Sequence, residues 1–409
     1  MFEIQKKEAI QELQTQMQRK MAFLIFFTIV LTVYALVNYY IYTRGLQALP
    51  AGGGTRTWFT GVFWLLAATY VAGRILENLY LGTMSDVLVW TGSFWLGAML
   101  YFFLLVVFFD LLRLIHHIIP YFPSIVTENM VQVRQYLFAG SVLLVALLLT
   151  FGHINTRHPV LRELDIDISH KDARDMDKLH AVLLSDIHLG TLIGNGQFRK
   201  IVDRVMALEP DIIFLAGDML DEDLEPVIRQ NIGTTLKDLH APLGVYGVMG
   251  NHEHIGGSKD AYAYLVGHGI QMIRDDAVKV NDAFYVVGRD DRDKRRFSGR
   301  ERKPLADVLE GVDFRYPVIL LDHQPFYLEK AAALGVDLQL SGHTHHGQLW
   351  PLNYITQAMY SISHGYGKVD GMHAYVSNGV GTWGPPVRIG NRPEIVQLNI
   401  RFGERQDKD

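Results

Sequence analysis

Seven side chains of the kinds that bind metal ions follow short apolar, strand-like runs in the second half of the chain. They are Asp186 and His188, Asp218, Asn251, His323, and His343 with His345. Carboxylate and amide oxygens combined with imidazoles, and no thiolate, are the ligand set of a hydrolytic divalent-metal centre. A lone aspartate or histidine after a strand is most often structural, but five clusters with the same strand-then-ligand arrangement indicate a metal site.

The elements around these clusters predict how the ligands come together. From residue 179 onward, short β-rich runs alternate with helical patterns, such as the one over residues 195–209. This alternation predicts an α/β domain whose inner strands pair largely in parallel. Residues just past the carboxyl ends of such strands meet in one crevice, so we expect all five clusters to lie there.

Five motifs in a fixed order make the chain resemble the calcineurin-like metallophosphoesterase superfamily. They are SDIHLG at 185–190, AGDMLD at 216–221, GNHEH at 250–254, LDHQP at 321–325 and SGHTHHGQ at 341–348. The resemblance covers about residues 178–400 and looks closest to a membrane-associated bacterial branch, which includes YkuE-like and YaeI-like enzymes and transmembrane proteins with a metallophosphoesterase domain. It implies a domain of two packed mixed β-sheets flanked by helices.

The resemblance also implies how the seven ligands divide between two metal ions. One ion would be held by Asp186, His188, Asp218 and His345, and the other by Asp218, Asn251, His323 and His343. The shared Asp218 would offset the repulsion between two cations roughly 3.5–4 Å apart, and a bridging hydroxide would attack phosphorus. Such ligands suit Mn²⁺, Fe²⁺ and Zn²⁺ almost equally. We expect Mn²⁺, which the resembling bacterial enzymes commonly use.

Two residues after the third ligand cluster are candidates for catalysis. The resemblance implies that His252 stabilises the phosphorane oxygens and protonates the leaving alkoxide. Glu253 would orient the His252 imidazole or hold it charged. The alternative for Glu253 is a salt-bridged position in a loop.

The last ligand pair needs a turn, because residues two apart normally point to opposite faces of a strand. Gly342 and Gly347 permit a turn that aims both His343 and His345 inward. His346 departs from the resembling branch, which more often has glycine there. Further along, the glycine- and proline-rich tail contains Arg388, which could bind a phosphate through a fork of donors or be structurally paired.

An apolar region precedes this domain. Four segments are long enough to cross a bilayer, at residues 21–43, 58–80, 87–112 and 135–152. The predicted organisation is an amphipathic helix over residues 1–20, four transmembrane helices over 21–152, a linker over 153–177, the catalytic domain over 178–402 and a charged tail over 403–409.

Basic residues predict the orientation of these spans. Seven Lys and Arg residues flank the side shared by both ends of the region, against four in the opposite loops. This bias favours a multi-pass protein of the cell membrane with a cytoplasmic catalytic domain. Charges three residues apart within one helix, Arg74 with Glu77 and Asp110 with Arg113, are expected to pair.

Composition narrows the function classes. The chain has 409 residues and no cysteine, and the absence of cysteine excludes disulfides and thiolate zinc sites. Its formal net charge of −5 gives no sign of binding to nucleic-acid polymers. The leading hypothesis is a metal-dependent hydrolase of a phosphodiester or pyrophosphate bond, with the bilayer and a lipid-linked or nucleotide-activated substrate as partners.

Two alternatives remain open at this point. The first is an enzyme for soluble nucleotides or phosphoproteins that is only anchored to the membrane. Phosphoprotein phosphatases of the superfamily have arginine before the glycine that corresponds to Gly250. This chain has Met249 there, which argues against a phosphoprotein substrate. The second alternative is an inactive metal-binding scaffold. The presence of all seven ligands and of His252 argues against it.

Overall fold

The structure is a computed structural model that describes the backbone of residues 2–403 and the side chains of residues 21, 24, 25 and 27–403. The amphipathic face predicted for residues 1–20 and, apart from Gly403, the predicted charged tail lie outside the described residues. The chain forms two compact units. One comprises residues up to Thr69 together with Trp95–Leu147, and the other comprises Tyr70–Phe94 together with the chain from Leu148 onward.

Long helices form the N-terminal part. They are α1 (Phe2–Ala48), α2 (Gly54–Leu79), α3 (Thr83–Ile118), the short α4 (Ser124–Glu128) and α5 (Met130–Thr156). Proline occurs in this part of the chain only between helices, at Pro50, Pro120 and Pro123. Because proline removes a backbone donor and clashes with the preceding turn, this placement leaves each helix uninterrupted.

Within the described residues, three helices are long and apolar enough to cross a membrane, namely α2, α3 and α5. They correspond to the spans predicted for residues 58–80, 87–112 and 135–152. The remaining predicted span, residues 21–43, lies in α1, part of whose side chains are outside the described residues. A total of four spans therefore stays a prediction.

Two six-stranded sheets form the centre of the second unit. The first has the spatial order β1 (Val160–Asp172), β12 (Glu394–Gly403), β2 (Lys178–Leu184), β3 (Ile212–Leu215), β4 (Val245–Gly247) and β5 (Gln271–Met272). The second has the order β10 (Gly365–Val369), β11 (Met372–Val376), β9 (Leu338–Ser341), β8 (Val318–Leu321), β7 (Phe284–Gly288) and β6 (Asp276–Val280).

Both sheets are mixed, as expected. Strands β2 to β5 pair in parallel, as do β7, β8, β9 and β11. Antiparallel pairs join β12 to β2, β10 to β11 and β6 to β7. The inner pairing is therefore largely parallel, which confirms the predicted α/β domain with two mixed sheets.

The two sheets pack against each other and are covered by helices. Ile212 and Phe214 of β3 belong to a buried cluster shared with Phe284 and Leu340 of the other sheet, whereas Ile213 of β3 packs among residues of the outer helices. Alternate residues of one strand thus enter different layers, because side chains point to opposite faces of a strand. Burial on both faces explains why these strands are apolar throughout.

Short helices connect the strands. They are α6 (Asn195–Met206), α7 (Glu225–Arg229), α8 (Ile232–Leu236), α9 (Asn251–Gly256), α10 (Ser258–Gly267), α11 (Lys294–Ser298), α12 (Leu305–Val308), α13 (Leu328–Ala333) and α14 (Asn353–Met359). The helix predicted over residues 195–209 corresponds to α6, which buries Phe198, Ile201, Val202 and Val205.

The structure corrects the prediction of a linker over residues 153–177. Residues 153–177 contain the end of α5 and the edge strand β1, which pairs in parallel with β12 from Val160 onward. Ile166 and Ile168 are buried while the charged residues between and around them are exposed. Charged side chains on the open face of an edge strand are common, because they discourage pairing with other chains. The alternation of apolar and charged residues from Leu164 to Ile168 is the pattern of a half-buried strand, so the linker prediction was wrong.

Candidate metal centre

The five ligand clusters lie in loops that begin directly after parallel strands. Strands β2, β3, β4, β8 and β9 end at Leu184, Leu215, Gly247, Leu321 and Ser341, and one cluster follows each of these ends. The carboxyl ends of neighbouring parallel strands lie at one edge of a sheet. Strands β2, β3 and β4 belong to the first sheet and β8 and β9 to the second, and the packing of the two sheets brings all seven predicted ligands together.

The first group of ligands consists of Asp186, His188 and His345, whose ligand atoms lie within 4.8 Å of one another. The Nε2 atoms of His188 and His345 are 3.0 Å apart, and His345 Nε2 is 3.3 Å from Asp186 Oδ1. All three side chains are buried. These are three of the four residues expected to hold one ion.

The second group consists of Asp218, His323 and His343, again within 4.8 Å. His323 Nε2 lies 3.1 Å from Asp218 Oδ2, and His343 Nδ1 lies 2.9 Å from Asn251 Oδ1. Asp218 Oδ2 is also 3.9 Å from His188 Nε2 in the first group. Asp218 therefore lies between the two groups, where a bridging ligand must be.

His323 presents a ring nitrogen to the centre. Its Nδ1 lies 2.7 Å from the carbonyl oxygen of Ala216, to which it donates, so Nε2 is the nitrogen directed at the centre, 3.1 Å from Asp218 Oδ2. A histidine whose second nitrogen is fixed by a backbone carbonyl is typical of metal ligands. The residues present therefore fit divalent metal ions.

Burial and neighbouring charges shift the pKa values of these groups, not all in one direction. Burial lowers the pKa of His323, but the charge of Asp218 outweighs it and raises that pKa above its ordinary value. Burial lowers the pKa of His343 to about 3 and that of His345 to about 4, which keeps both imidazoles neutral and able to bind metal. Burial opposes ionisation of Asp186 and Asp218, but neighbouring imidazoles hold the pKa of both carboxyls below its ordinary value. Metal binding requires deprotonated ligands, so a bound cation would displace the proton of His323.

The backbone of the ligand loops adopts a rare conformation. Five of the seven predicted ligands have positive φ angles, namely Asp186 (52°), His188 (54°), Asp218 (51°), His343 (73°) and His345 (45°). Such angles cost of order 1–3 kcal/mol for residues other than glycine and cluster at functional sites. The turn predicted at the last pair is thus made by the histidines themselves together with Gly347, whose φ is 72°.

His252 lies beside the ligands, and its partner is a carboxylate that sequence analysis did not single out. His252 Nδ1 is 3.3 Å from Asp221 Oδ1, which is also 3.7 Å from His188 Nδ1. Burial lowers the pKa of His252, but the charges of Asp218 and Asp221 outweigh it and raise that pKa to about 9. The only sequence signal for Asp221 was its place at the end of the AGDMLD motif.

Glu253 has a different position from the one predicted, since its carboxylate bonds to backbone and not to the imidazole of His252. One oxygen accepts hydrogen bonds from the N–H groups of Asp218 (3.2 Å) and Gly250 (2.7 Å), and the other accepts from Leu220 (2.9 Å). The side chain is fully buried. Glu253 therefore joins the loop after β3 to the start of α9 and positions Asp218.

Comparisons with known proteins agree with this geometry. A family profile described as calcineurin-like phosphoesterase matches residues 179–347. A metallophosphoesterase of Aquifex aeolicus with no assigned function is 35% identical over 220 residues, which cover 53% of this chain and 83% of the relative. The chain belongs to the calcineurin-like metallophosphoesterase family.

Other relatives of this family include membrane proteins. A Bos taurus protein named transmembrane protein with metallophosphoesterase domain is 32% identical over 279 residues, covering 64% of this chain and 62% of the relative. A metallophosphoesterase of Campylobacter jejuni with no assigned function is 27% identical over 399 residues, covering 93% of this chain and 99% of the relative. The YkuE protein of Bacillus subtilis is 28% identical over 240 residues, 55% of this chain.

Arg388, considered as a phosphate ligand, is a structural residue. It is 1% exposed, and its guanidinium donates to the carbonyl oxygens of Asn378 (2.7 Å) and Gly381 (2.6 Å). Its Nη2 atom also lies 3.1 Å from His345 Nδ1. The first two contacts brace the glycine-rich tail itself, and the contact with His345 joins the tail to the ligand group. A buried guanidinium so occupied is not available to a substrate.

Two residues of helix α2 reach the ligand loops within the second unit. Arg74 and Glu77 pair as expected, at 3.0 Å. In addition, Arg74 Nη2 lies 3.6 Å from Asp221 Oδ2, and the Thr191 hydroxyl donates to Glu77 at 2.5 Å. The apolar helix is thus linked to the first ligand loop and, through Asp221, to His252.

Proposed function

We propose that this metallophosphoesterase is a membrane-embedded two-metal enzyme that hydrolyses a phosphodiester or pyrophosphate bond. The observation that carries the proposal is that Asp218 belongs to the second ligand group and also lies 3.9 Å from His188 of the first. One group would comprise Asp186, His188, Asp218 and His345, and the other Asp218, Asn251, His323 and His343. Bound divalent cations, with Mn²⁺ expected, would supply Lewis-acid activation of the phosphoryl group and of the attacking water.

Two residues beside the ligands would assist the reaction, one by donating a proton and the other by holding the backbone around Asp218. His252 Nδ1 faces Asp221 at 3.3 Å, so the carboxylate would keep this nitrogen protonated and fix the orientation of the ring. The other ring nitrogen would then donate a proton to the leaving oxygen. Glu253 would act at a distance from the reacting atoms, by holding the backbone around Asp218.

We further propose that the substrate is lipid-linked or activated by a nucleotide. The contacts of Arg74 and Glu77 with Asp221 and Thr191 support this, because they join an apolar helix to the ligand loops. A site built beside such a helix would receive a headgroup whose hydrocarbon chains stay in the bilayer. The bias of basic residues in the sequence supports a cytoplasmic position of the catalytic domain.

The test is Mn²⁺-dependent hydrolysis by the detergent-purified full chain. UDP-diacylglucosamine would be compared with bis-p-nitrophenyl phosphate, and Asp218→Asn would serve as the control for contaminating activity. Faster cleavage of the lipid is the expected result. Cleavage of the generic diester alone would retain the phosphoesterase chemistry and reject the lipid-linked substrate, whereas no cleavage of either compound would contradict the enzymatic proposal.

A further inference from the structure

A cavity of about 450 Å³ lies among helices α1, α2, α3 and α5 of the first unit. Most of its lining is apolar, with the aromatic side chains of Trp58, Phe59, Phe63, Trp95 and Phe138 among them. Well-packed protein interiors contain few voids larger than a water molecule. A cavity of this size and lining is suited to hydrocarbon.

Charged residues line the same cavity. Arg44, Asp110, Arg113 and Arg134 lie near the end of α1, the end of α3 and the start of α5. Arg44 and Arg113 lie together, because both form ion pairs with Asp110. The cavity therefore combines an apolar lining with a polar region close to these helix ends.

The positive charges in this polar region exceed the negative ones. Asp110 pairs with both Arg44 (2.7 Å) and Arg113 (3.0 Å), and it also accepts a hydrogen bond from the Tyr40 hydroxyl (2.6 Å). Arg134 has no ion-pair partner among the residues that the structure describes, and its Nε atom is buried without a hydrogen-bond partner. Three guanidinium groups and one carboxylate leave a net charge of +2.

A net positive charge beside hydrocarbon is unfavourable unless an anion neutralises it. A phosphate group accepts paired hydrogen bonds from guanidinium groups, and acyl chains match an aromatic, apolar lining. We propose that this cavity binds one anionic glycerophospholipid, whose phosphate contacts Arg134 and Arg113 and whose chain occupies the cavity. None of the residues that line the cavity is a metal ligand, and its occupancy does not depend on the proposed hydrolysis.

The test measures lipid binding to the intact, detergent-purified protein by native mass spectrometry. Phosphatidylglycerol, phosphatidylcholine and inorganic phosphate are added in separate titrations. One retained phosphatidylglycerol per chain is expected, with affinity at least about tenfold higher than for phosphatidylcholine, since charge-assisted hydrogen bonds to phosphate contribute on that scale. Inorganic phosphate binding as tightly as the lipid would overturn the assignment to a lipid, and equal binding of the two lipids would overturn the role of the net charge.

Two arginine variants separate a specific site from general attraction to anionic lipids. Arg134→Gln removes the unpaired charge inside the cavity, and Arg56→Gln removes one charge at the start of α2, where Arg56 donates to the Leu49 carbonyl and does not line the cavity. Arg134→Gln should weaken phosphatidylglycerol binding about tenfold or more, and Arg56→Gln should leave it unchanged. Equal weakening by both would overturn the proposal.

A third variant guards against misfolding as the cause. Ser141 lines the cavity and donates only to the Leu137 carbonyl of its own helix. Ser141→Phe should fill part of the cavity and reduce the number of retained phosphatidylglycerol molecules while the protein's melting temperature without added lipid stays the same or rises. If lipid retention and stability were both unchanged, the acyl chain of the lipid would have to lie outside the cavity, and the proposal would be overturned.

Discussion

Replacing Glu253 by glutamine tests whether this residue acts through the backbone or on the imidazole of His252. Glutamine has the same shape, but only one of its two terminal groups accepts hydrogen bonds. If its oxygen takes the place of the carboxylate oxygen bonded to Asp218 and Gly250, the amide NH₂ faces the N–H of Leu220. One buried donor then loses its acceptor.

The expected loss of stability follows from these contacts. Glu253 is fully buried, so water cannot replace the missing acceptor. An unsatisfied buried donor costs about 1–3 kcal/mol of unfolding free energy. For a domain of roughly 150–250 residues, each kcal/mol shifts the melting temperature by about 2–4 °C, so Glu253→Gln should lower it by about 2–12 °C. Glu253→Ala removes both acceptor oxygens, and with them three hydrogen bonds, and should cost about three times as much free energy.

The assay is thermal unfolding of the purified protein with saturating Mn²⁺, together with metal content and turnover of the same samples. Glu222→Gln is the matched control, because Glu222 is a partly exposed carboxylate 4.0 Å from His252 Nδ1. It should leave the melting temperature unchanged. An unaltered melting temperature and metal content in Glu253→Gln, combined with a large fall in kcat, would refute the backbone role and restore the role predicted from sequence.

Three further substitutions separate the roles of the residues around the centre. Asp218→Asn removes the shared negative charge and should abolish metal-dependent hydrolysis; elemental analysis checks the metal content, and activity with two bound metals would contradict the bridging role. His252→Ala should retain the metals and slow turnover by roughly 10²–10⁴-fold. Loss of metal from that variant would instead identify His252 as a ligand. Asp221→Asn should lower metal affinity or kcat by about 10–100-fold, because Asp221 contacts both the ligand His188 and the proton donor His252. Wild-type kinetics in this variant would show that these contacts are incidental.

Local relations in the sequence were sufficient to predict several features of the structure. The helix spacing of Arg74 and Glu77 predicted their pairing, because residues three apart share one helix face. The ligands after β2 and β3 were predictable because the strand pattern and the ligand are adjacent in the chain. Because the carboxyl ends of parallel strands lie at one edge of a sheet, the grouping of Asp186 with Asp218 was also predictable. The packing of the two sheets then brings the clusters of both sheets together.

Relations between distant parts of the chain were not predictable in this way. The contact of Arg74 with Asp221 joins residues far apart in sequence, and neither residue's neighbours indicate it. The pairing of β1 with β12, which is at the opposite end of the domain, was not predictable from the residues of β1 alone. The role of Glu253 depended on the positions of three backbone N–H groups, which side-chain patterns do not specify.

The sequence by itself therefore determined the chemistry of the candidate centre, since residue types carry the donor atoms and short motifs carry their order. The tertiary structure decided which groups surround those donors: Asp221 beside His252, the left-handed backbone of the ligand loops and the excess positive charge around Arg134. The physical reason is that hydrogen bonds, ion pairs and cavities depend on distances in space. Distances between residues remote in sequence are set only when the sheets and helices pack.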